Sequence, residues 1–304
     1  MKCLMAIWLL CIAVLMAGET KAYLVVDLTS SGEEFRFTDD APDLSNDKCR
    51  TTELWLRRIP AGSMEMDFFQ ERWQDGTSLQ KDVTIDRDYY IGIFEVTKKQ
   101  WSLIAGNVPK HKNGVVRVPG REDIPADGTP WSKCRDLDNY PVECVSYDEC
   151  VEYVGKLSDR TSLDFALPTE PQWEYAHRIN PDGSCTDTKV CYPEGDSPGR
   201  KGVEMGPLLR NVANAEYPVS VEYNTKVGAP GTLSNPTPMG LYDMSGNVWE
   251  WCQDAYRENE AMRVLRGGNS FFYNRISRCP QRDFCAPSER RSDTGLRVVC
   301  TPAS

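Results

Sequence analysis

The sequence reads as an α+β domain, rich in loops and poor in regular secondary structure. Three observations predict this. Three helix starts carry full capping signatures, several short apolar runs are bounded by Gly and Pro, and residues 180–238 are rich in Gly, Pro, Asn and Asp with little periodicity.

In chain order, Lys2, an apolar run from Leu4 to Ala17, and the small residues around Thr20-Lys21-Ala22 read as a cleavable export signal over residues 1–22. The run is too short to span a bilayer comfortably, and Glu19 and Lys21 close it, so no membrane insertion is expected after cleavage. Secreted or periplasmic location follows. Tyr23 to Asp27 can form a short strand, but Ser30 to Asp47 is polar and acidic, so residues 23–53 read as an N-terminal extension or tether. The domain is expected over residues 54–301, opening with "LWLRRIPAGSM" and "YYIGIFEVT" as strands.

The capping pairs are Thr97 with Gln100, Ser146 with Glu149, and Thr169 with Gln172. In each, the hydroxyl accepts from the first turn while the Glu or Gln reaches back to the cap. The first helix should end near Gly106, the second should bury Tyr147, Val151, Val154 and Leu157, and the third has Pro171 in its first turn. Short strands around "MRVLRGGNSFF" and "TGLRVVC" close the chain, and long irregular stretches of this kind need bound ions or disulfides to hold them.

Composition narrows the function. The chain has 304 residues, 35 basic and 45 acidic; without the signal 282 remain and the net charge is −11, which gives no reason to seek nucleic acid or anionic lipid. Cys3 and Cys11 leave with the signal, so ten cysteines remain: Cys49, Cys134, Cys144, Cys150, Cys185, Cys191, Cys252, Cys279, Cys285 and Cys300. An even number in an exported chain favours disulfides, with Cys185–Cys191 and Cys279–Cys285 close enough for local loops, though the full pairing cannot be deduced. There is no Cys-x-x-Cys, and His111 and His177 are the only histidines, so zinc is disfavoured.

Five segments in order, "YYIGIFEVTKKQW", "YPVECVSYDECVEY", "LPTEPQWEYAHR", "MGLYDMSGNVWEWCQDAY", and "RVLRGGNSFF" followed by "RCPQR" and "TGLRVV", resemble the formylglycine-generating, or sulfatase-modifying factor, family. The resemblance covers about Leu54 to Cys300 and implies a C-type-lectin-like core. Within it Trp173, Trp249 and Trp251 supply large apolar area, while Glu170, Glu174 and Glu250 are expected to accept hydrogen bonds from backbone and Arg rather than to move protons.

The same resemblance implies calcium. Asp243 and Glu250 offer hard carboxylates, with the carbonyls of Gly246 and Val248 between them; a second site would draw on Asn214 and the carbonyl of Ala215, with Glu222 the nearest partner. It also implies a copper(I) site between two cysteines, four and nine residues after the second glycine of the "GG" turn. Counting from Gly268, this chain has Phe272 and Ser277 there, so copper is not expected. Asn269 replaces the serine of that turn, and Asp293 replaces an active-site asparagine. Trp249 and Arg282 are retained. Cys279 and Cys285 read as disulfide cysteines rather than substitutes, and two histidines cannot build the three-histidine iron site of a related branch. His177 reads as a core or interface residue.

Two functions therefore stand. One is a binding module for a peptide, glycan or extracytoplasmic protein, whose cleft comprises Trp249, Asn269, Phe271, Phe272, Tyr273, Arg275, Arg282 and Asp293, aromatics beside arginine being suited to stacking. The alternative is an oxygen-dependent oxidase of the formylglycine-generating type. The missing cysteines favour binding.

Overall fold

A computed structural model describes residues 21–30, 34–69, 78–107, 109, 138–186, 236–258, 260–268 and 282–302. The main sheet has six strands in the order β2-β1-β3-β6-β12-β7, all antiparallel: β1 (Tyr23–Asp27), β2 (Phe35–Thr38), β3 (Glu53–Ile59), β6 (Tyr89–Gly92), β7 (Asp164–Ala166) and β12 (Val299–Thr301). A second sheet runs β10 (Arg282–Cys285), β9 (Arg263–Arg266), β8 (Trp249–Ala255), β11 (Thr294–Gly295), with only the β8–β11 pair parallel. β4 (Gly62–Phe69) and β5 (Ser78–Ile85) form a separate hairpin.

The main sheet is covered on both faces. Along β1, Leu24 and Val26 enter one apolar cluster and Val25 the other; Leu54 and Leu56 oppose Trp55 on β3, and Tyr90 opposes Tyr89 and Ile91 on β6. Alternation therefore exists in space, but the sequence shows continuous apolar runs because neither face meets water. This corrects the reading of residues 23–53 as extension or tether. β1 lies inside the sheet between β2 and β3, and the short helix α1 (Lys48–Thr51) delivers the Arg50 carbonyl to the Thr97 hydroxyl, 2.6 Å away.

All three capping boxes form, with both reciprocal bonds, at the starts of α2 (Lys98–Ala105), α3 (Tyr147–Thr161) and α4 (Glu170–Arg178). Gly106 ends α2 with φ +80°, a left-handed conformation that a Cβ would resist. The buried face of α3 is Cys150, Tyr153, Val154, Leu157 and Thr161 rather than the face through Val151, which is 45% exposed. The competing stripe wins because Tyr153 stacks on Trp101 of α2 at 4.8 Å and 3°. "YYIGIFEVT" is strand only over its first four residues. Beyond Gly92 the chain leaves the ladder, and Ile93 N–H and Val96 N–H donate to Trp55 and Leu296 carbonyls. Among the described residues, no helix is long and apolar enough to cross a membrane.

Candidate functional site

The site is built where the two sheets meet. The turn at 243–248 leads into β8 and holds Asp243 at φ +57°, Gly246 at +98° and Asn247 at +64°, three left-handed residues that curl it tightly. Its Gly246 N–H donates to the Gly267 carbonyl at 2.7 Å, tying it to the Gly267-Gly268 turn, where φ is +93° and +81°.

Against this turn lies Glu95, which follows β6 and is fully buried. Its carboxylate accepts from the Asn247 side-chain amide and, at 3.1 Å, from Val248 N–H. Glu250 on β8, also fully buried, accepts from Arg297 at 2.8 to 3.1 Å and from the Trp173 indole at 2.7 Å. Burial first, and then the charges of Asp243 and Glu250, push the Glu95 carboxyl well above the usual carboxylate range. Among the described residues, the carboxyl groups of Glu95, Asp243 and Glu250 thus lie within electrostatic reach of one another and of Arg297.

A hard cation suits this set, in which every donor is oxygen. Among the described residues no three His, Cys, Asp or Glu side chains converge on one point, so the ion would need the Gly246 and Val248 carbonyls beside Asp243 and Glu250, as the sequence suggested. Calcium would supply charge balance there. Asn214, Ala215 and Glu222 lie outside the described residues.

Behind the turn is an ion-pair network that sequence reasoning anticipated only in its acids. Arg266 donates to Glu170 at 2.8 Å and to Glu174 at 2.6 Å, Arg178 donates to Glu174 at 2.8 Å, and Arg282 grips both oxygens of Glu170. Arg266 also stacks over Trp173 at 5.2 Å. These acids fix loops and helix α4 to β9 and β10, the structural role expected of them. Arg178 lies one helical turn from Glu174, but Arg266 and Arg282 were not legible as partners, because they arrive from strands 92 to 112 residues away.

Three of the cleft candidates are described. The Trp249 N–H donates to the Asp293 carbonyl at 2.7 Å, and the Asp293 carboxylate is held by Arg291 at 2.9 Å through each oxygen. Trp249 is buried, and its indole N–H meets no acceptor among the described residues. Arg282 instead belongs to the Glu170 network, two strands from Trp249. Asn269, Phe271, Phe272, Tyr273, Arg275 and Ser277 lie outside the described residues.

Cys285 ends β10, buried, with its thiol pushed up to about 12 by burial first and then by Glu289; a thiol so reluctant to ionise is a poor metal ligand. Cys49, Cys150, Cys185, Cys252 and Cys300 are also thiols in the structure, and Cys191 and Cys279, the partners of the two short loops considered, lie outside the described residues.

His177 sits edge-on to Trp173 at 5.3 Å, with Nε2 3.4 Å from Ser245 Oγ and a buried Nδ1 that meets no partner among the described residues. Burial, then Arg266, Arg297 and Arg178, bring its pKa from 6.5 to about 3, so the ring is held neutral near neutral pH. The unfolded ring protonates near pH 6.5 and the folded ring only near 3. Stability contributed by the neutral ring is therefore lost as pH falls below 6.5, by at most about 1.4 kcal/mol per pH unit. Urea unfolding between pH 7 and pH 5 should show this slope, and His177→Gln should flatten it; an equal slope in the variant would refute the assignment.

The folded chain is thus an α+β, loop-rich domain whose buried acids and tryptophans build a scaffold around one curled turn. A model of the sulfatase-modifying factor enzyme 1-like domain matches residues 42–302, and the chain belongs to that family. The C-type-lectin-like fold implied by the resemblance is the one found. A formylglycine-generating enzyme of Thermomonospora curvata is 29% identical over 214 residues, covering 62% of this chain and 64% of that protein's length. The mouse "Inactive C-alpha-formylglycine-generating enzyme 2" is 25% identical, covering 69% and 72%. In fold, the chain is similar to PvdO from Pseudomonas aeruginosa, with TM-score 0.58, 21% identity, and coverage of 81% of this chain and 94% of that one.

Proposed function

We propose that this protein is an exported, non-catalytic binding module: a calcium-stabilised sulfatase-modifying-factor-like scaffold that holds a peptide, glycan or extracytoplasmic protein. The observation that carries this reading is chemical. The positions that would hold copper(I) are Phe272 and Ser277, a phenyl ring and a hard, weakly acidic hydroxyl, where the soft ion requires two thiolates. The high pKa of Cys285 supports it, as does the mouse relative whose name describes it as inactive. An export signal over residues 1–22 and the acidic net charge are consistent with a partner outside the cytoplasm.

The test is turnover of a sulfatase-type cysteine peptide with copper(I) and oxygen. The wild type is expected to match a no-enzyme control and to retain no copper after desalting. Phe272→Cys with Ser277→Cys should together recover copper binding, while either alone should not. Wild-type turnover above the control would overturn the binding reading in favour of the oxidase.

A further inference from the structure

We infer that Glu95 is the positioning residue of the calcium turn, an inference that rests on the calcium reading above. The sequence marks Asp243, Gly246, Val248 and Glu250 as donors, all within eight residues, and gives Glu95 no part. The structure brings it there from 148 residues before Asp243. One carboxylate oxygen accepts from Val248 N–H and the other from the Asn247 amide, so Glu95 grips two successive residues of the turn from the main-sheet side.

The geometry gives this grip a consequence. Asn247 adopts φ +64°, a conformation that an L residue does not favour, so something must hold it. Fixing the N–H of Val248 fixes the peptide plane between Asn247 and Val248, and holding the Asn247 side chain limits rotation at the residue that joins this plane to the one before it. The carbonyls of Gly246 and Val248, the backbone donors that the calcium shell requires, lie in the planes immediately before and after the anchored one, the second of them also held because Trp249 N–H donates to the Asp293 carbonyl at 2.7 Å. Glu95 therefore acts through the turn, as outer-shell partners orient the groups that touch a metal. Its carboxylate grips the turn through Asn247 and Val248 from the main-sheet side, so its role is to orient the turn. A Gln would keep the size and one acceptor but would set an amide donor against the Asn247 amide.

The experiment is calorimetric titration of the chelator-stripped full mature protein with CaCl2, with melting temperatures recorded with and without calcium. Wild type should bind one calcium and melt higher with it. Glu95→Gln should bind about tenfold more weakly, with a smaller calcium-induced rise and a calcium-free melting temperature close to wild type. Asn247→Gly, which tolerates the left-handed φ but removes one of the two anchors, should weaken binding in the same direction and serves if Glu95→Gln does not fold. No calcium uptake by wild type would overturn the calcium reading and this role with it. Uptake by wild type with unchanged affinity in both variants would overturn this role alone, as would an equal fall in melting temperature with and without calcium.

Discussion

Arg297→Met is expected to destabilise the protein by about 3 to 5 kcal/mol, the cost of leaving a buried charge without its partner. Arg297 is fully buried and uses its whole guanidinium: Nε and Nη2 reach Glu250, Nη1 donates to the Gly92 carbonyl at 2.8 Å, and Nη2 also donates to the Tyr242 carbonyl at 2.8 Å. One side chain therefore joins β6, the turn before β8 and β8 itself. Methionine fills similar space but leaves Glu250 and two carbonyls unanswered. Arg297→Lys should recover only part of the loss, because a single ammonium cannot span four acceptors. Unfolding in urea with chelator present measures the effect without calcium linkage. Adding Glu250→Gln to Arg297→Met should restore stability relative to the single variant. A cost below about 1 kcal/mol for Arg297→Met would show that the pair is not the brace described.

The second large effect is expected at Gly295. It lies in β11 opposite Glu250, and a Cβ there would stand 2.3 Å from the Val142 carbonyl oxygen and 3.1 Å from a Val248 methyl. The first obstacle is backbone, itself held because Val142 N–H donates to Val96 at 2.9 Å, so it cannot swing aside as a side chain would. Gly295→Ala should cost about 3 kcal/mol or more, at the upper end of overpacking. Gly155→Ala is the matched control. Gly155 lies on the exposed side of α3 with nothing within 4 Å of the added methyl, so alanine there should be neutral or stabilising by up to about 1 kcal/mol. Equal effects at the two glycines, read as shifts in urea midpoint, would contradict the packing described.

Local chemistry was legible wherever a residue's partner lies a few positions away. Each capping box is such a case, since Thr97 and Gln100, Ser146 and Glu149, and Thr169 and Gln172 need only one helical turn to meet. So is the end of α2 at Gly106, whose positive φ a side chain would resist. The donors expected at the turn, and the expected replacement of two copper-binding cysteines by Phe272 and Ser277, were likewise read from residue position alone.

What the sequence did not disclose depends on long-range pairing. β1 seemed separable because the polar stretch after it looked like a tether, yet its ladder with β3 spans about 30 residues of chain, and only that pairing shows that its Leu24-Val25-Val26 run is buried on both faces. Which stripe of α3 turns inward was decided by Trp101 on another helix, not by the periodicity of α3 itself. Arg282, marked by resemblance as a cleft residue, is committed to Glu170, and Glu95, marked by nothing, closes on Asn247 and Val248. By itself the sequence determined the family, the three caps and the helix end at Gly106, all properties of neighbouring residues or of residue identity. Tertiary structure alone decided which buried acid meets which arginine and which carboxylate grips the turn, because a buried charge must find a partner in space, and the chain distance to that partner carries no local signal.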